Sequence, residues 1–509
     1  MNYRSTRDPN AQLYTDAQAI IQGLAPDGGL FVPAAFPQPQ FDLTRLTTSS
    51  YQQLAQTVLQ WFFPYLPTAA TVPAAYGAQW DHPRIAPLTP VHAGSYYLEL
   101  FHGPTLAFKD VALQVLPHLL QAAKHQTKDT KETIILTATS GDTGTAALRG
   151  FRNVAGTRVI VFYPQHGISP IQEAQMRSQQ GDNLHVVAVK GNFDQAQTTV
   201  KEIFNDPTLA AVLASHQQHF SSANSMNIGR LIPQITYYFS AYGQLLRQGV
   251  IQAGDQVNFA VPTGNFGDIL AGYYAAKLGL PVGRLICASN KNNVLTDFFA
   301  TGTYDKRREF FVTNSPSMDI LVSSNLERLL FDISGGDAEL VQQLMHELQD
   351  QGHYSLPTEL LTKLKQLFAA EYATPDEIQT EINRVFKEAN YLIDPHTAVG
   401  SIAAHRYRTL SGDARPCVVV ATASPYKFPE TVLQSLDNTV PSQSTGLDAI
   451  EQLAQLDPRP LTAGVEELFT NQPQPVLTTT PAAMPRMVLD ILKKTDKWLL
   501  TENVSEKQR

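Results

Sequence analysis

Cysteine is nearly missing from this sequence: Cys287 and Cys417 are the only two in 509 residues. Each lies in an apolar run, Leu285-Ile286-Cys287-Ala288 and Cys417-Val418-Val419-Val420, which predicts buried strand positions. Two isolated thiols exclude a disulfide framework. Charge is scarce too, at 17% of residues against about 25% in an average domain. There is no basic excess, with 38 Lys and Arg against 46 Asp and Glu, a net charge of −8. That balance speaks against binding nucleic acid through counterion release, and against an anionic membrane surface as partner. No apolar run approaches the roughly 20 residues a helical membrane span requires. The opening segment, Met1-Asn2-Tyr3-Arg4-Ser5-Thr6-Arg7-Asp8-Pro9, has no apolar stretch of the signal-peptide kind. A cytoplasmic protein is expected. What is plentiful is apolar surface, 43% of residues, enough for a large core.

Short β-branched runs recur with helical patterns between them. They include Ile134-Ile135-Leu136-Thr137-Ala138, Val159-Ile160-Val161-Phe162-Tyr163, Leu184-His185-Val186-Val187-Ala188-Val189, Val257-Asn258-Phe259-Ala260-Val261 and Val418-Val419-Val420-Ala421. Near-continuous apolar strands alternating with helices predict parallel sheets buried on both faces. The expected fold class is α/β, with two open, mainly parallel twisted-sheet lobes and a cleft between them. The expected division is an N-terminal subdomain over 1–95, a smaller lobe over 96–220, a larger lobe over 221–440 and a C-terminal extension over 441–509. Within the larger lobe, the spacing of Leu340, Val341, Leu344, Met345 and Leu348 predicts a helical insertion over 336–390. The extension opens on a linker-like Pro441-Ser442-Gln443-Ser444-Thr445-Gly446.

Three motifs carry chemistry. Lys109 stands in Phe101-His102-Gly103-Pro104-Thr105-Leu106-Ala107-Phe108-Lys109-Asp110, between apolar stretches. Burial lowers the proton affinity of an amine, and a neutral amine is what Schiff-base chemistry uses. The plainer reading is a surface lysine whose stem passes apolar neighbours. The second motif, Thr139-Ser140-Gly141-Asp142-Thr143-Gly144, follows a strand and opens a helix, a geometry that binds a carboxylate or phosphate. The third, Gly264-Asn265-Phe266-Gly267-Asp268, repeats that geometry in the other lobe and lacks the Gly-Lys-Ser/Thr ending of a P-loop. Either turn read singly is also a well-capped βα turn. Two on two lobes predict an anionic ligand in the cleft between them, beyond the carboxyl ends of the strands. Arg230 and Lys427 are candidate phosphate-binding cations, although a surface ion pair and a helix-terminal lysine are the plainer readings. His102 and His396 are isolated, and neither they nor the cysteines have metal-ligand spacing, so no metal is expected.

These motifs, together with Ala25-Pro26-Asp27-Gly28-Gly29-Leu30-Phe31-Val32-Pro33, Gly191-Asn192-Phe193-Asp194, Asn224-Ser225-Met226-Asn227-Ile228-Gly229-Arg230 and Ser323-Ser324-Asn325-Leu326-Glu327-Arg328, resemble the threonine synthase family over about residues 1–435. Its members are pyridoxal-phosphate (PLP) enzymes with the tryptophan-synthase-β type of fold. The resemblance is to the branch of bacteria and fungi. It implies conversion of O-phospho-L-homoserine and water to L-threonine and phosphate, the last step of threonine biosynthesis, by a monomer or homodimer. It implies that Lys109 carries PLP as a Schiff base, that Gly264, Asn265, Phe266, Gly267 and Asp268 wrap the cofactor phosphate, and that Thr422 meets the pyridine nitrogen. Ser140, Gly141, Asp142 and Thr143 would receive the substrate carboxylate. Arg230 and Lys427 would hold the substrate phosphate, with Ser225, Asn227 and Asn325 adding hydrogen bonds. One departure is visible: the family often has His where this chain has Ser424, within Thr422-Ala423-Ser424-Pro425-Tyr426-Lys427-Phe428. Serine/threonine dehydratase chemistry on the same cofactor, an inactive phosphometabolite-binding protein and a nucleotide binder are the competing readings.

Overall fold

The strand Val257–Pro262 shows why the chain folds as it does. Its odd-numbered Val257, Phe259 and Val261 join one apolar cluster, and Ala260 joins another. A strand buried on both faces needs a layer of helices on each side, which is the parallel α/β arrangement. In the computed structural model, which describes residues 1–436, 444–470 and 473–494, two such sheets form.

The larger sheet runs in the order Phe368–Tyr372, Val282–Ser289, Val257–Pro262, Cys417–Ala421, Ser95–Glu99, Leu88–His92. All neighbours are parallel except the last pair, a hairpin. The smaller sheet is parallel throughout, in the order Leu477–Thr479, Leu184–Val189, Thr157–Pro164, Glu132–Ala138, Gln218–Ser221. The N-terminal segment forms its own antiparallel sheet from Asn2–Ser5, Tyr14–Thr15 and Phe31–Pro33. Both cysteines are free and buried within the larger sheet, and burial pushes each thiol up to about 12.

The strands are distributed over the expected divisions as follows. Residues 95–99, expected around the start of the smaller lobe, pair with Cys417–Ala421 in the larger sheet. The smaller sheet takes its first strand at Glu132. The expected helical insertion over 336–390 has three helices, Ala338–Asp350, Thr358–Leu367 and Pro375–Ala389, but also two strands. Phe368–Tyr372 adds a parallel edge to the larger sheet, and His353–Ser355 pairs with Thr303–Asp305. The C-terminal extension packs on both lobes: Ala449, Ile450, Leu453, Val465 and Leu468 join the apolar cluster on one face of the larger sheet, and the segment from Leu477 joins the smaller lobe. Leu477–Thr479 lengthens the smaller sheet, and the helix Met484–Lys493 buries Met484, Val488, Ile491 and Leu492 against its outer face. Of the expected linker, 441–443 lie outside the described residues, as do 495–509 of the tail. Among the described residues, no helix is long and apolar enough to cross a membrane.

The carboxyl ends of both sheets open onto one cleft. The lysine-bearing segment is stitched to the larger sheet at that end. Ala107 bridges Ala423, the Phe108 N–H donates to the Thr422 carbonyl at 2.8 Å, and the Ser424 N–H donates to the Leu106 carbonyl at 3.0 Å.

Candidate active site

The cleft spans about 970 Å³ of space, with the open solvent at its mouth included. Lys109, the first residue of the short helix Lys109–Leu113, reaches into it with its side chain 11% exposed. Its Nζ donates to Asp142 Oδ2 at 3.0 Å and lies 5.1 Å from the Phe108 ring centre. Burial lowers the proton affinity of this amine. Asp142 opposes that, while the charges of Arg230 and Lys427 add to it, and the net direction is down.

Asp142 begins the helix Asp142–Phe151, reached through Gly141 at φ +122°. A Cβ on Gly141 would lie 2.2 Å from Gln172 Cδ, so both backbone angle and space demand glycine here. The Asp142 carboxylate is encircled. Oδ2 accepts from Lys109 and from Ser317 Oγ at 3.0 Å; Oδ1 accepts from Gln172 Nε2 at 2.7 Å and pairs with Lys427 Nζ at 3.1 Å. Burial works against its charge, but Lys109, Lys427, His396 and the Gln172 amide hold the carboxyl well below the usual carboxylate range. Gly141 contributes no side-chain acceptor to this helix start, and Thr139, Ser140 and Thr143 line the cleft beside it.

The turn on the larger lobe is built differently. Phe266 caps the helix Gly267–Lys277 in the left-handed region, φ +67°, and supplies no side-chain hydrogen bond to it. Its ring packs on Phe299 and Phe368. The turn is gripped from behind by the Ser323–Arg328 segment. Ser323 Oγ donates to the Gly264 carbonyl at 2.7 Å, Ser324 Oγ to Asn265 Oδ1 at 3.2 Å, and Asn325 Nδ2 to the Asn265 carbonyl at 2.8 Å. Asp268 Oδ1 accepts from Tyr237 and Tyr238 hydroxyls at 2.5 and 2.8 Å. Burial lifts the Asp268 carboxyl to about 6 against the pull of those two hydroxyls and of Lys109.

Lys109, Ser140, Asp142, Thr143, Ser225, Arg230, Gly264 to Asp268 and Thr422 therefore line one cleft. Of the other sequence-derived candidates, Gly141 is not on that lining and acts as the turn that starts the helix, and three more stand behind the wall. Lys427 is fully buried and bonded to the Thr105 carbonyl at 2.8 Å and Gln175 Oε1 at 2.9 Å as well as to Asp142. Asn227 caps the helix Ile228–Leu231, and its amide donates to the Ile20 and Ser222 carbonyls. Asn325 spends its side chain on Asn265 and Arg328. Arg230 stays on the cleft wall: Nη1 donates to the Ala223 carbonyl at 2.7 Å and Nη2 to Thr143 Oγ1 at 3.4 Å. Burial lowers its guanidinium to about 10.

Several cleft residues were not singled out by sequence as binding residues. Ser317, Met318, Phe193, Gln197, Gln234 and Ser324 are among them. His396, isolated in the sequence, lines the cleft with Nδ1 2.6 Å from Asp394 Oδ2 and Nε2 accepting from the Ser317 N–H at 3.1 Å. Phe193 and Gln197 share the helix Phe193–Asn205 and Ser317 and Met318 the turn Pro316–Met318, while Gln234, Ser324 and His396 come from three further segments, so the set as a whole has no single spacing that the sequence could show. His102 is away from the cleft, held between Asp81 at 2.6 Å and Glu99 at 2.7 Å. Burial opposes its charge, yet the two carboxylates raise it to about 9.

A buried lysine facing two βα turns is an arrangement that suits a PLP-type enzyme, and the chain matches family models of that class. Residues 81–423 match the pyridoxal-phosphate dependent enzyme model. Residues 2–71 match the threonine synthase N terminus and 397–467 the threonine synthase C-terminal model. Threonine synthase from Schizosaccharomyces pombe is 37% identical over 471 residues, covering 86% of this chain and 90% of that protein. The Pseudomonas aeruginosa threonine synthase is 39% identical over 440 residues, covering 85% and 90%. The PLP-bound crystal structure of threonine synthase from Brucella melitensis matches with a TM-score of 0.83 at 35% identity, covering 96% of this chain and 99% of that one. The chain belongs to the threonine synthase family. It is also 40% identical to human threonine synthase-like 1 over 434 residues, 82% of this chain, and the match spans 58% of that longer relative.

Proposed function

We propose that the chain converts O-phospho-L-homoserine and water to L-threonine and phosphate, with PLP bound at Lys109. The observation that carries this reading is the buried Lys109 amine set in one cleft with two helix starts that lack a side-chain cap. The donor set suits PLP. Burial disfavours the ammonium form of Lys109, the Gly264–Gly267 turn offers main-chain N–H groups to a phosphate, and Thr422 brings a neutral hydroxyl to the cleft wall. When bound, PLP supplies an electron sink for charge developing at the substrate carbons.

The protein groups divide the remaining work. The N–H groups of Asp142 and Thr143, with the Ser140 hydroxyl, would take the substrate carboxylate at the helix start. Arg230 and Ser225 would take the substrate phosphate, Arg230 with its charge. Lys109, tethered at the reacting centre, would accept the proton from Cα and return it before product release. Asn227, Asn325 and Lys427 would support the site from behind the wall. A cytoplasmic enzyme, monomeric or homodimeric and acting on a small molecule, fits an acidic chain with two free thiols.

The test is a pair of assays on the PLP-loaded protein: phosphate and threonine formed from O-phospho-L-homoserine, and ammonia formed from threonine. The expected result is rapid phosphate release with stoichiometric threonine and little ammonia. Ammonia release without phosphate release would overturn the reading in favour of a dehydratase.

A further inference from the structure

Two lysines share one buried carboxylate, and only one of them can leave it. Lys109 meets Asp142 Oδ2 from the cleft side, 3.0 Å away. Lys427 meets Asp142 Oδ1 from inside the protein, 3.1 Å away and fully buried. Three acceptors surround Lys427 Nζ, namely the Thr105 carbonyl, Gln175 Oε1 and Asp142 Oδ1. That is the full complement of an ammonium group, in a place the cleft does not reach.

We infer that Lys427 is a positioning residue: it is the fixed counter-charge that keeps Asp142 ionised when the Lys109 amine is committed to the cofactor, and so sets the pH at which the Lys109 nitrogen changes protonation. The inference rests on the reading that PLP is bound at Lys109. The reason is electrostatic. Taking one partner from a buried ion pair leaves an uncompensated charge, which is far costlier than the pair itself. Lys109 is such a departing partner, because condensation with an aldehyde, with loss of water, would leave its nitrogen a weaker base than the free amine. Ser317 Oγ and Gln172 Nε2 remain on the carboxylate, but both are neutral. His396 acts on Asp142 through space from the helix Pro395–Ser411, with its own Nδ1 on Asp394. Arg230 acts on Lys109 from the helix Ile228–Leu231, and its hydrogen bonds go to Ala223 and Thr143. Asp268 faces Lys109 from the larger lobe, and Asp110 faces Lys427 while bonded to Thr105. Of the positively charged groups around Asp142, Lys427 is the one in direct contact that the cleft chemistry does not use.

The sign follows. A cation near an amine lowers its proton affinity, so removing Lys427 strengthens proton binding by the Lys109–Asp142 pair, whichever atom takes the proton. The test is a pH titration of the visible absorbance of the PLP-loaded protein, which needs no turnover. Lys427→Met is expected to move the midpoint up by about one unit, and Lys427→Arg, which keeps the charge, to stay nearer the wild type. Lys427→Gln, which removes the charge and keeps an amide donor, is the variant to use should Lys427→Met not fold, and its midpoint is also expected to move up. A PLP-loaded Lys427→Met, or Lys427→Gln in its place, that titrates like the wild type would overturn the role of Lys427. A wild-type chain with no visible band would overturn the underlying PLP reading instead, and the two failures are thereby separate.

Discussion

The two anion turns are near twins in sequence and opposites in structure. Each follows a strand, contains glycine and opens a helix with an Asp in its first turn. In the smaller lobe that acid, Asp142, is turned toward Lys109 and meets Lys427 as well, with the neutral Ser317 and Gln172 beside them. In the larger lobe Asp268 is tied to Tyr237 and Tyr238, and neutral groups, Ser323, Ser324 and Asn325, hold the turn. The difference teaches that a helix start is only half of an anion site. Where its neighbouring carboxylate points decides which anion the N–H groups can serve and whether they also govern a proton.

The largest expected effect that would break this comparison is Lys109→Ala. Loss of the amine should cut the rate of phosphate release by roughly 10³-fold or more, measured by continuous phosphate assay, and leave Asp142 with Lys427 alone. Next is Gly141→Ala, where a positive backbone φ of +122° and a 2.2 Å clash with Gln172 coincide. It should destabilise the smaller lobe by about 2–4 kcal/mol by denaturant unfolding, while Gly267→Ala, with its nearest neighbour at 3.6 Å, should cost far less. Arg230→Met should raise KM for the phosphorylated substrate by roughly 10- to 100-fold, the worth of one charge-assisted hydrogen bond, with kcat changed less. The smallest effect sharpens the contrast between the two acids. The Asp268 carboxyl binds its proton more tightly in the fold, at about 6, than a free Asp side chain does at 3.8. Its contribution to stability is therefore full below pH 3.8 and lost as pH rises to about 6. Asp268→Asn should raise the melting temperature by a few degrees near neutral pH, and the gain should vanish in acid; a gain independent of pH would contradict the assignment.

The sequence disclosed the parts of the site that are local. Lys109 stood out because apolar residues flank it, and both turns because glycine and hydroxyl residues follow a strand at once. It could not disclose which way a polar side chain faces. Lys427, Asn227 and Asn325 carry the right functional groups in the right segments, yet each is spent on buried carbonyl or carboxylate partners supplied by distant parts of the chain. His396 and Ser317 were hidden for the converse reason, since isolated residues acquire meaning only when folding brings their segments together. The fold followed the same rule. Long apolar strands were legible from composition, whereas the three-residue strand Leu477–Thr479 and the crossing of Ser95–Glu99 into the larger sheet are non-local pairings with no periodic signature.

The account stands on the Lys109 amine. Reducing the PLP-loaded protein with borohydride and mapping the modified peptide tests this directly. The predicted result is one phosphopyridoxyl group, on Lys109, with Lys427 unmodified; a label on any other lysine, or none at all, would contradict it.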